Sequence, residues 1–238
     1  MSTGKIAGIM VTGKTPARYP LAREAVVAWQ LQSYRGDCEL LVINDHPTES
    51  LYPEKPPKGV TEIRITGQHS LGELRNIGIE EAKARGAAWC VQWDDDDYSH
   101  KNRLLYQVSN TQAGTASIFR YEIHCNLKTG EAIMNDGKSI RVKGFPGTML
   151  WPTASDVRFP GVGKAEDTLF LLQLQKERRL QVLINDPTMY CRFYHGHNTW
   201  SEQHVMKPKP NSRKLNEAER GYVNWVLEAR YRTIREAL

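Results

Sequence analysis

Hydrophobic and polar residues alternate in a way that divides the first hundred positions into strand-length and helix-length segments. Apolar runs of strand length occupy residues 5–11, 39–44 and 88–93, and a short alternating run covers 60–66. Apolar residues recur at helical spacing over 21–34. Ser70 and Glu73 have the spacing of a capping box, and Gly86 is placed to end the helix that they begin. This order predicts an α/β fold with a mostly parallel central sheet flanked by helices.

The pattern after residue 100 is richer in strands. Helices are predicted over 103–108 and 165–174, and strands over 115–125, 138–143, 180–184 and 189–194, with a turn at 128–131. A final amphipathic helix is predicted from 215 onward, with one apolar face formed by Leu215, Ala218, Tyr222, Trp225, Val226 and Ala229. We therefore expect one domain over 1–205, divided near residue 100, and a basic linker and helix over 206–238.

Composition narrows the class of protein. The 238 residues are 40% hydrophobic and 25% charged, which is typical of a globular chain. The four cysteines are scattered without C-x-x-C pairs, so neither a zinc cluster nor a disulfide scaffold is predicted. No apolar run approaches the roughly 20 residues that span a bilayer, and the first residues lack the apolar core of a secretory signal. We expect a cytoplasmic protein without a transmembrane segment.

The net charge of +5 is concentrated at one end of the chain. Residues 207–238 contain eight Lys or Arg against four Glu, and so contribute +4 of that charge. Such a segment is typical of a solvated helix face, but it also suits binding to a polyanion. Because aromatic residues are interleaved with the basic ones over 220–225 and 229–233, a non-catalytic nucleic-acid-binding protein is one alternative.

Four consecutive carboxylates, Asp94 to Asp97, follow the predicted strand 88–93 directly. Adjacent carboxylates repel each other and need a positive charge nearby. A divalent cation such as Mg²⁺ or Mn²⁺ takes oxygen ligands and leaves positions open for substrate phosphates. The alternative is an acidic turn that caps the next helix.

Several short segments in a fixed order carry a resemblance to a known family. They are residues 10–13 (MVTG), 32–34 (QSY), 41–45 (LVIND), 74–79 (LRNIGI), 93–97 (WDDDD), 165–168 (AEDT) and 195–200 (HGHNTW). In this order the sequence resembles the family 2 glycosyltransferases, whose nucleotide-sugar-binding α/β fold is called GT-A. The resemblance implies an inverting, metal-dependent enzyme that uses Mn²⁺ or Mg²⁺. It would move a sugar from a nucleotide-diphosphate sugar, with UDP-sugars favoured, to an acceptor hydroxyl.

The resemblance also implies roles on the donor side, in residues of about 1–100. Thr12 and Asp45 match positions that hold the nucleotide, and Arg75 and Asn76 match the Arg-Asn pair beside the donor. Asp94 and Asp95 would contact the donor, and Asp94, Asp96 and Asp97 the metal, with the frame of the Asp-x-Asp motif left open. Residues 44–47 (NDHP) depart from the family pattern of two acids and a glycine, so the base is not assigned.

On the acceptor side, about residues 101–205, the resemblance assigns the chemistry. Glu166 and Asp167 match the Glu-Asp pair that begins the acceptor-side helix, and Asp167 would be the general base. Ordinary helix capping is the alternative for this pair. His195 and His197 match a region that can complete the metal site, and the sequence does not rank them. If the metal takes no histidine ligand, these residues would only stabilise a closing loop.

Two further alternatives remain open from the sequence. A nucleotidyltransferase would share the sheet and the acidic site, although residues 11–16 (VTGKTP) are a poor version of its triphosphate-binding loop. A glycosyltransferase could also use its basic tail to bind a polyanionic acceptor, either a carbohydrate polymer or a modified nucleic acid. Steep salt dependence of acceptor binding would support that version.

Overall fold

The computed structural model describes residues 4–13 and 15–238, so Lys14 of the 11–16 loop lies outside the described residues. Its strands are β1 Lys5–Thr12, β2 Cys38–Asn44, β3 Val60–Arg64, β4 Ala87–Gln92, β5 Tyr98–Ser99, β6 Ala116–Phe119, β7 Tyr121–Asn126, β8 Ala132–Asp136, β9 Phe145–Pro152, β10 Leu180–Leu183, β11 Tyr190–Tyr194 and β12 Arg213–Lys214. Its helices are α1 Tyr19–Gln30, α2 Leu71–Ala84, α3 Arg103–Asn110, α4 Glu166–Lys176, α5 Glu202–Val205, α6 Glu217–Arg230 and α7 Arg232–Glu236. None of these helices is long and apolar enough to cross a membrane.

Two sheets organise the described residues. The larger has the strand order β10-β6-β9-β4-β1-β2-β3, in which β9 runs antiparallel to both neighbours and the other pairs are parallel. The smaller has the order β12-β8-β7-β11-β5. A single residue, Arg120, separates β6 of the larger sheet from β7 of the smaller. The chain therefore passes from one sheet to the other without a loop.

Side chains that alternate along the central strands fill two hydrophobic layers. In β2, Leu40 and Val42 pack with α1, while Leu41 and Ile43 pack with α2, as the period of two in a strand requires. The α1 layer is anchored by Trp93, whose indole N–H donates to the carbonyl of Ala25 at 2.9 Å. The layer on the other face contains apolar residues of α2 and α4. The central sheet is thus covered by helices on both faces.

Most of the elements predicted for the first hundred residues are confirmed. The four strands and two helices occur within a few residues of the expected bounds. Ser70 and Glu73 form the expected reciprocal capping box at the start of α2. Gly86 follows the helix with a φ of +72°, a conformation that favours glycine and ends the helix.

The predictions for residues 115–152 were partly wrong. The run 115–125 is two strands in different sheets, because the chain leaves the larger sheet at Arg120. The run 138–143 is not a strand; the partner of β7 is β8, and 138–143 alternates because Ile140 and Val142 reach the core from a loop. The strand β9 was missed since Pro146 and Gly147 are typical of loops.

The apolar face predicted for the C-terminal helix was also wrong in part. Ala218, Trp225 and Ala229 are exposed, with 56% of Trp225 accessible. Leu215, Tyr222 and Val226 of the predicted face do pack in the cluster of the smaller sheet, together with Val223 and Leu227, which were not predicted. The prediction placed every apolar residue near one stripe of the helix on the buried face. In the structure, the side chains that pack against the smaller sheet are mostly the branched ones beside it.

Gly72 lies in the first turn of α2, where the helix meets the segment before α4. A Cβ at this position would lie 1.9 Å from the carbonyl oxygen of Pro160. We expect Gly72→Ala to lower the free energy of unfolding by about 1–3 kcal/mol, because the backbone must move to relieve this overlap. Denaturant unfolding of the purified protein measures the change.

Gly221 in α6 is the matched control, since a Cβ there would meet no heavy atom within 4 Å. Gly221→Ala should raise the free energy of unfolding by up to about 1 kcal/mol, because alanine favours the helix. A neutral or stabilising Gly72→Ala would show that the contact between α2 and Pro160 is not tight.

Candidate active site

The predicted polar residues meet at the carboxyl ends of the parallel strands. Thr12 ends β1, Asp45 follows β2, and Asp94 to Asp97 follow β4. They line a cavity of about 290 Å³, the first cavity. Its other lining residues include Gly13, Thr15, Arg18, Leu71, Arg75, Lys164, Glu166, Asp167, Arg192 and Trp200. Ligands of open α/β sheets bind at this edge, where strand order reverses around β1.

Asp95 and Asp96 share one cation, Arg18. Its guanidinium donates to both carboxylates, and the contact to Asp96 Oδ2 is 2.9 Å. Asp95 also accepts from the Thr12 hydroxyl at 2.8 Å. Burial raises the pKa of the Asp95 carboxyl to about 6, although Arg18 opposes that shift. Burial opposes ionisation of Asp96 as well, but Arg18 and His195 lower its pKa overall.

Arg75 joins the aspartate run to the start of α4. Its guanidinium donates to Glu166 and, at 3.2 Å, to Asp94 Oδ1. Only 7% of Arg75 and 2% of Glu166 are exposed. Burial raises the pKa of Glu166, and Arg75 acts in the opposite direction. This buried bridge fixes the carboxylates of β4 and α4 relative to each other.

Tyr190 in β11 holds the other side of the run. Its hydroxyl lies 2.7 Å from Asp97 Oδ2 and 3.2 Å from Asp94 Oδ2. Asp97 also accepts from the backbone N–H of Phe193 at 2.9 Å. Burial and the neighbouring carboxylates raise the pKa of Asp97 well above its usual value. The smaller sheet therefore supplies hydrogen bonds that hold two of the four aspartates.

The two predicted histidines occupy different environments. His195 is buried, with Nε2 3.1 Å from Asp96 Oδ2, and lies behind Asp96 rather than on the cavity wall. His197 is exposed and its ring is 6.2 Å from that of His195. Of the two, His195 is the one joined to the aspartate run.

Asn76 does not line the first cavity. Its amide exchanges hydrogen bonds with the backbone of Phe159, at 2.8 Å as donor and 3.0 Å as acceptor. Asp45 does line the first cavity, and its backbone N–H donates to the carbonyl of Thr12 at 3.1 Å. The Asn76 side chain thus supports the segment that leads into α4, whereas the resemblance had assigned it a position beside the donor.

A second cavity of about 300 Å³ adjoins the first. The residues that line both are Asp94, Asp97, Ala165, Asp167, Arg192 and Trp200. Asp167 lies in the first turn of α4, at the positive end of the helix dipole. Three carboxylates, Asp94, Asp97 and Asp167, thus line both cavities, and Asp167 is the one that a helix contributes.

Basic and aromatic groups surround the second cavity. Arg192, His204 and Lys209 line it, together with Glu122 and His124. Burial lowers the pKa of both His204 and Lys209, and nearby Arg192 adds to this effect. The indole of Trp200 stacks on His204, with ring centroids 4.2 Å apart, and Lys164 lies 5.2 Å from the indole. The second cavity therefore combines the cations Arg192 and Lys209 with the carboxylates Asp94, Asp97, Glu122 and Asp167.

Three residues of the site were missed by sequence reasoning. Arg18 lies just before α1, Arg192 is in β11, and Tyr190 is two residues before Arg192 in the same strand. The usable signal was the acidic run itself, because four adjacent carboxylates, two of them buried, require cations and hydroxyls from elsewhere in the chain. The sequence gives no way to tell which of its 32 Lys and Arg residues supply them.

The donor chemistry of the site fits a divalent cation. Asp96 and His195 bring an oxygen and an imidazole nitrogen within 3.1 Å, and the first cavity beside Asp96 leaves space for ligands from a substrate. Among residues 4–13 and 15–238, no group of three or more His, Cys, Asp or Glu is arranged to hold a metal ion. An ion such as Mn²⁺ or Mg²⁺ would therefore need phosphate and water to complete its coordination.

Four of the eight basic residues of the C-terminal segment form ion pairs within the chain. Arg213 pairs with Glu219, Arg230 with Glu24, and both Arg232 and Arg235 with Glu228. Lys209 faces the second cavity instead of the helix surface. These pairs leave few basic groups on α6 and α7 for binding a nucleic acid.

Solved structures of S. aureus TarS, a glycosyltransferase, have the same fold as this chain. TarS 1–349 in complex with UDP-GlcNAc aligns over 98% of this chain and 74% of that chain, with 16% identity and a TM-score of 0.62. Its complex with UDP aligns over 94% and 72%, with 17% identity and a TM-score of 0.59. Another structure of TarS 1–349 aligns over 79% and 60%, with 18% identity and a TM-score of 0.58.

The chain thus spans about three fifths of the length of that last structure. No protein-family model matches the sequence, and no curated protein matches it. The structural likeness shows the fold, so the GT-A fold predicted from the sequence is confirmed.

Proposed function

We propose that the protein is an inverting glycosyltransferase that moves a sugar from a UDP-sugar to an acceptor hydroxyl with the help of Mn²⁺ or Mg²⁺. The observation that carries the proposal is the position of Asp167, on the wall shared by two cavities. One cavity lies at the nucleotide-binding edge of a GT-A sheet, and the other is lined by groups suited to a second substrate. A carboxylate between two substrates is the arrangement that direct sugar transfer requires.

The first cavity is the proposed donor site. Thr12 and Asp45 lie at its sheet edge, where the nucleoside would bind, and Arg18 and Arg192 offer cations for the diphosphate. TarS, which shares the fold, has been solved with UDP and with UDP-GlcNAc. These facts together favour a uridine nucleotide, although Asp45 is followed by His46 and Pro47 rather than by a second acid and a glycine.

In the proposed reaction, Asp167 accepts the proton of the acceptor hydroxyl. The oxygen then attacks the anomeric carbon, the bond from that carbon to the β-phosphate oxygen breaks, and its electron pair leaves with the diphosphate. Since one displacement occurs from the face opposite the leaving group, the anomeric configuration inverts. Arg75 holds Glu166 beside Asp167 and so fixes the position of the base.

The metal would be held by Asp96 and His195, with Asp94 and Asp97 nearby in the first cavity. When bound, it would neutralise the charge that develops on the departing diphosphate. His197 is not included in this proposal, because its ring is exposed and lies 6.2 Å from that of His195, the histidine that contacts Asp96.

The second cavity is the proposed acceptor site. Arg192 and Lys209 offer cations for an anionic acceptor, and Trp200 lines the cavity with them. A carbohydrate polymer carrying phosphate or carboxylate groups, or a modified nucleic acid, supplies such an anion. The proposed polyanion contact therefore moves from the basic tail to the second cavity, of which Lys209 is the only tail residue.

Calorimetric titration with UDP, GDP, CDP and TDP, each with Mn²⁺ or with excess chelator, tests the proposal. We expect UDP to bind most tightly and only weakly after chelation. Asp96→Asn should weaken Mn²⁺-dependent UDP binding by about tenfold or more, because a charged ligand and hydrogen-bond acceptor is lost. The exposed Asp37→Asn is the matched control and should behave as wild type. Equal, metal-independent binding of all four nucleotides, or none at all, would contradict the proposed donor site.

A further inference from the structure

Arg18 occupies the carboxylate oxygens that a metal ion would need. The same nitrogen, Nη2, contacts both Asp95 Oδ1 and Asp96 Oδ2. Asp96 Oδ2 is also the oxygen that lies 3.1 Å from His195 Nε2 and 3.4 Å from the amide of Asn198. A cation that binds this oxygen therefore competes with the guanidinium for it.

The guanidinium is also incompletely satisfied in this position. Arg18 Nε is buried and has no hydrogen-bond partner among the described residues. A buried donor without a partner costs roughly 1–3 kcal/mol, so a ligand that offers an acceptor is favoured there. Arg18 lines the first cavity, where such an acceptor would enter.

We propose that Arg18 is an internal counter-cation, which competes with the divalent metal for Asp95 and Asp96 in the ligand-free protein and binds the donor diphosphate when it arrives. This inference rests on the proposed function, because it takes a nucleoside diphosphate as the ligand of the first cavity. The guanidinium presents planar, paired donors that match phosphate oxygens, whereas a carboxylate released by it is a hard ligand for the metal.

The competition makes metal binding and nucleotide binding mutually dependent. In the absence of nucleotide, the metal competes with a charged hydrogen bond for Asp96 Oδ2. Once a diphosphate holds Arg18, that cost disappears and the carboxylates are available. By thermodynamic linkage, the metal then raises the affinity for the nucleotide by the same factor.

Arg18→Ala distinguishes this role from a structural one, because the affinity for Mn²⁺ should rise while the affinity for UDP should fall. Titration of the nucleotide-free protein with Mn²⁺ alone should show a Kd about tenfold lower than wild type, since the carboxylates lose their competitor. Titration with UDP in excess chelator should show a Kd about tenfold higher, since the diphosphate loses a charged partner. Damage to the fold would instead weaken both. Arg35→Ala, at an exposed position after α1, is the control and should change neither.

The two arms also distinguish failure of this inference from failure of the proposed function. Unchanged or weaker Mn²⁺ binding in Arg18→Ala, or no Mn²⁺ binding by either protein, would overturn the competition. UDP binding that is unaffected by Arg18→Ala would overturn the contact with the diphosphate. If neither protein binds UDP even with Mn²⁺, the proposed donor site is wrong. The Mn²⁺ titration still decides whether Arg18 competes with the metal for Asp95 and Asp96.

Discussion

Asp167→Asn is expected to lower kcat by about 10²–10⁴, the usual contribution of a positioned general base. The amide cannot accept the proton of the acceptor hydroxyl, but it is nearly the same size as the carboxylate. Binding of UDP should change little, because Thr12, Asp45 and the aspartate run of β4 are left intact. Transfer assays with candidate acceptors, combined with nucleotide titration, measure the two quantities separately.

Glu217→Gln is the matched control for this variant. Glu217 is also a carboxylate in the first turn of a helix, but it is exposed and lines neither cavity. Its activity should equal that of wild type. If Asp167→Asn retained full kcat, or if it lost UDP binding as well as transfer, the assignment of Asp167 as the base would be wrong.

Arg75→Met is expected to reduce the free energy of unfolding by about 3–5 kcal/mol, the usual cost of breaking a buried ion pair by removing one partner. Glu166, which is only 2% exposed, would stay buried without its cation. Asp94 would also lose its contact with Arg75. The start of α4 should then shift, so kcat should fall together with stability. Thermal or denaturant unfolding and a transfer assay measure both effects.

Two further variants make the Arg75 experiment specific. In Arg75→Met/Glu166→Gln the orphaned charge is removed, so part of the lost stability should return. Arg232→Met breaks an exposed pair with Glu228, in which 66% and 61% of the side chains are accessible, and should cost less than about 1 kcal/mol. Equal losses in Arg75→Met and Arg232→Met would mean that the Arg75 bridge does not hold α4 in place.

The donor half of the fold could be predicted from sequence because its signals are local. Three of its four strands are continuous apolar runs, β3 is a short alternating one, and α2 has both a cap, Ser70, and a stop residue, Gly86. The second half depends on contacts between distant segments. The strand β9 contains Pro146 and Gly147 yet pairs with β4 and β6, and nothing near it in the sequence indicates those partners.

The same difference applies to the candidate site. Acidic residues that follow a strand, such as Asp94 to Asp97, can be recognised because they are adjacent in the chain. Their counter-cations come from three other segments: Arg18 before α1, Arg75 in α2 and Arg192 in β11. Sequence reasoning found Arg75 through the family motif, but it missed Arg18 and Arg192, whose positions are set only by packing of the two sheets.

The passage from β6 to β7 through Arg120 limits how the two proposed substrate sites can move. Phe119 and Tyr121 lie two residues apart, so their Cα atoms are separated by no more than about 7.6 Å. Arg120 is held by two 2.8 Å contacts to Asp136, and its N–H donates to Leu183 in the larger sheet. The two sheets therefore lack a flexible hinge at this crossing. Exchange of side chains around the second cavity would then change the proposed acceptor site without changing its distance from the proposed donor site.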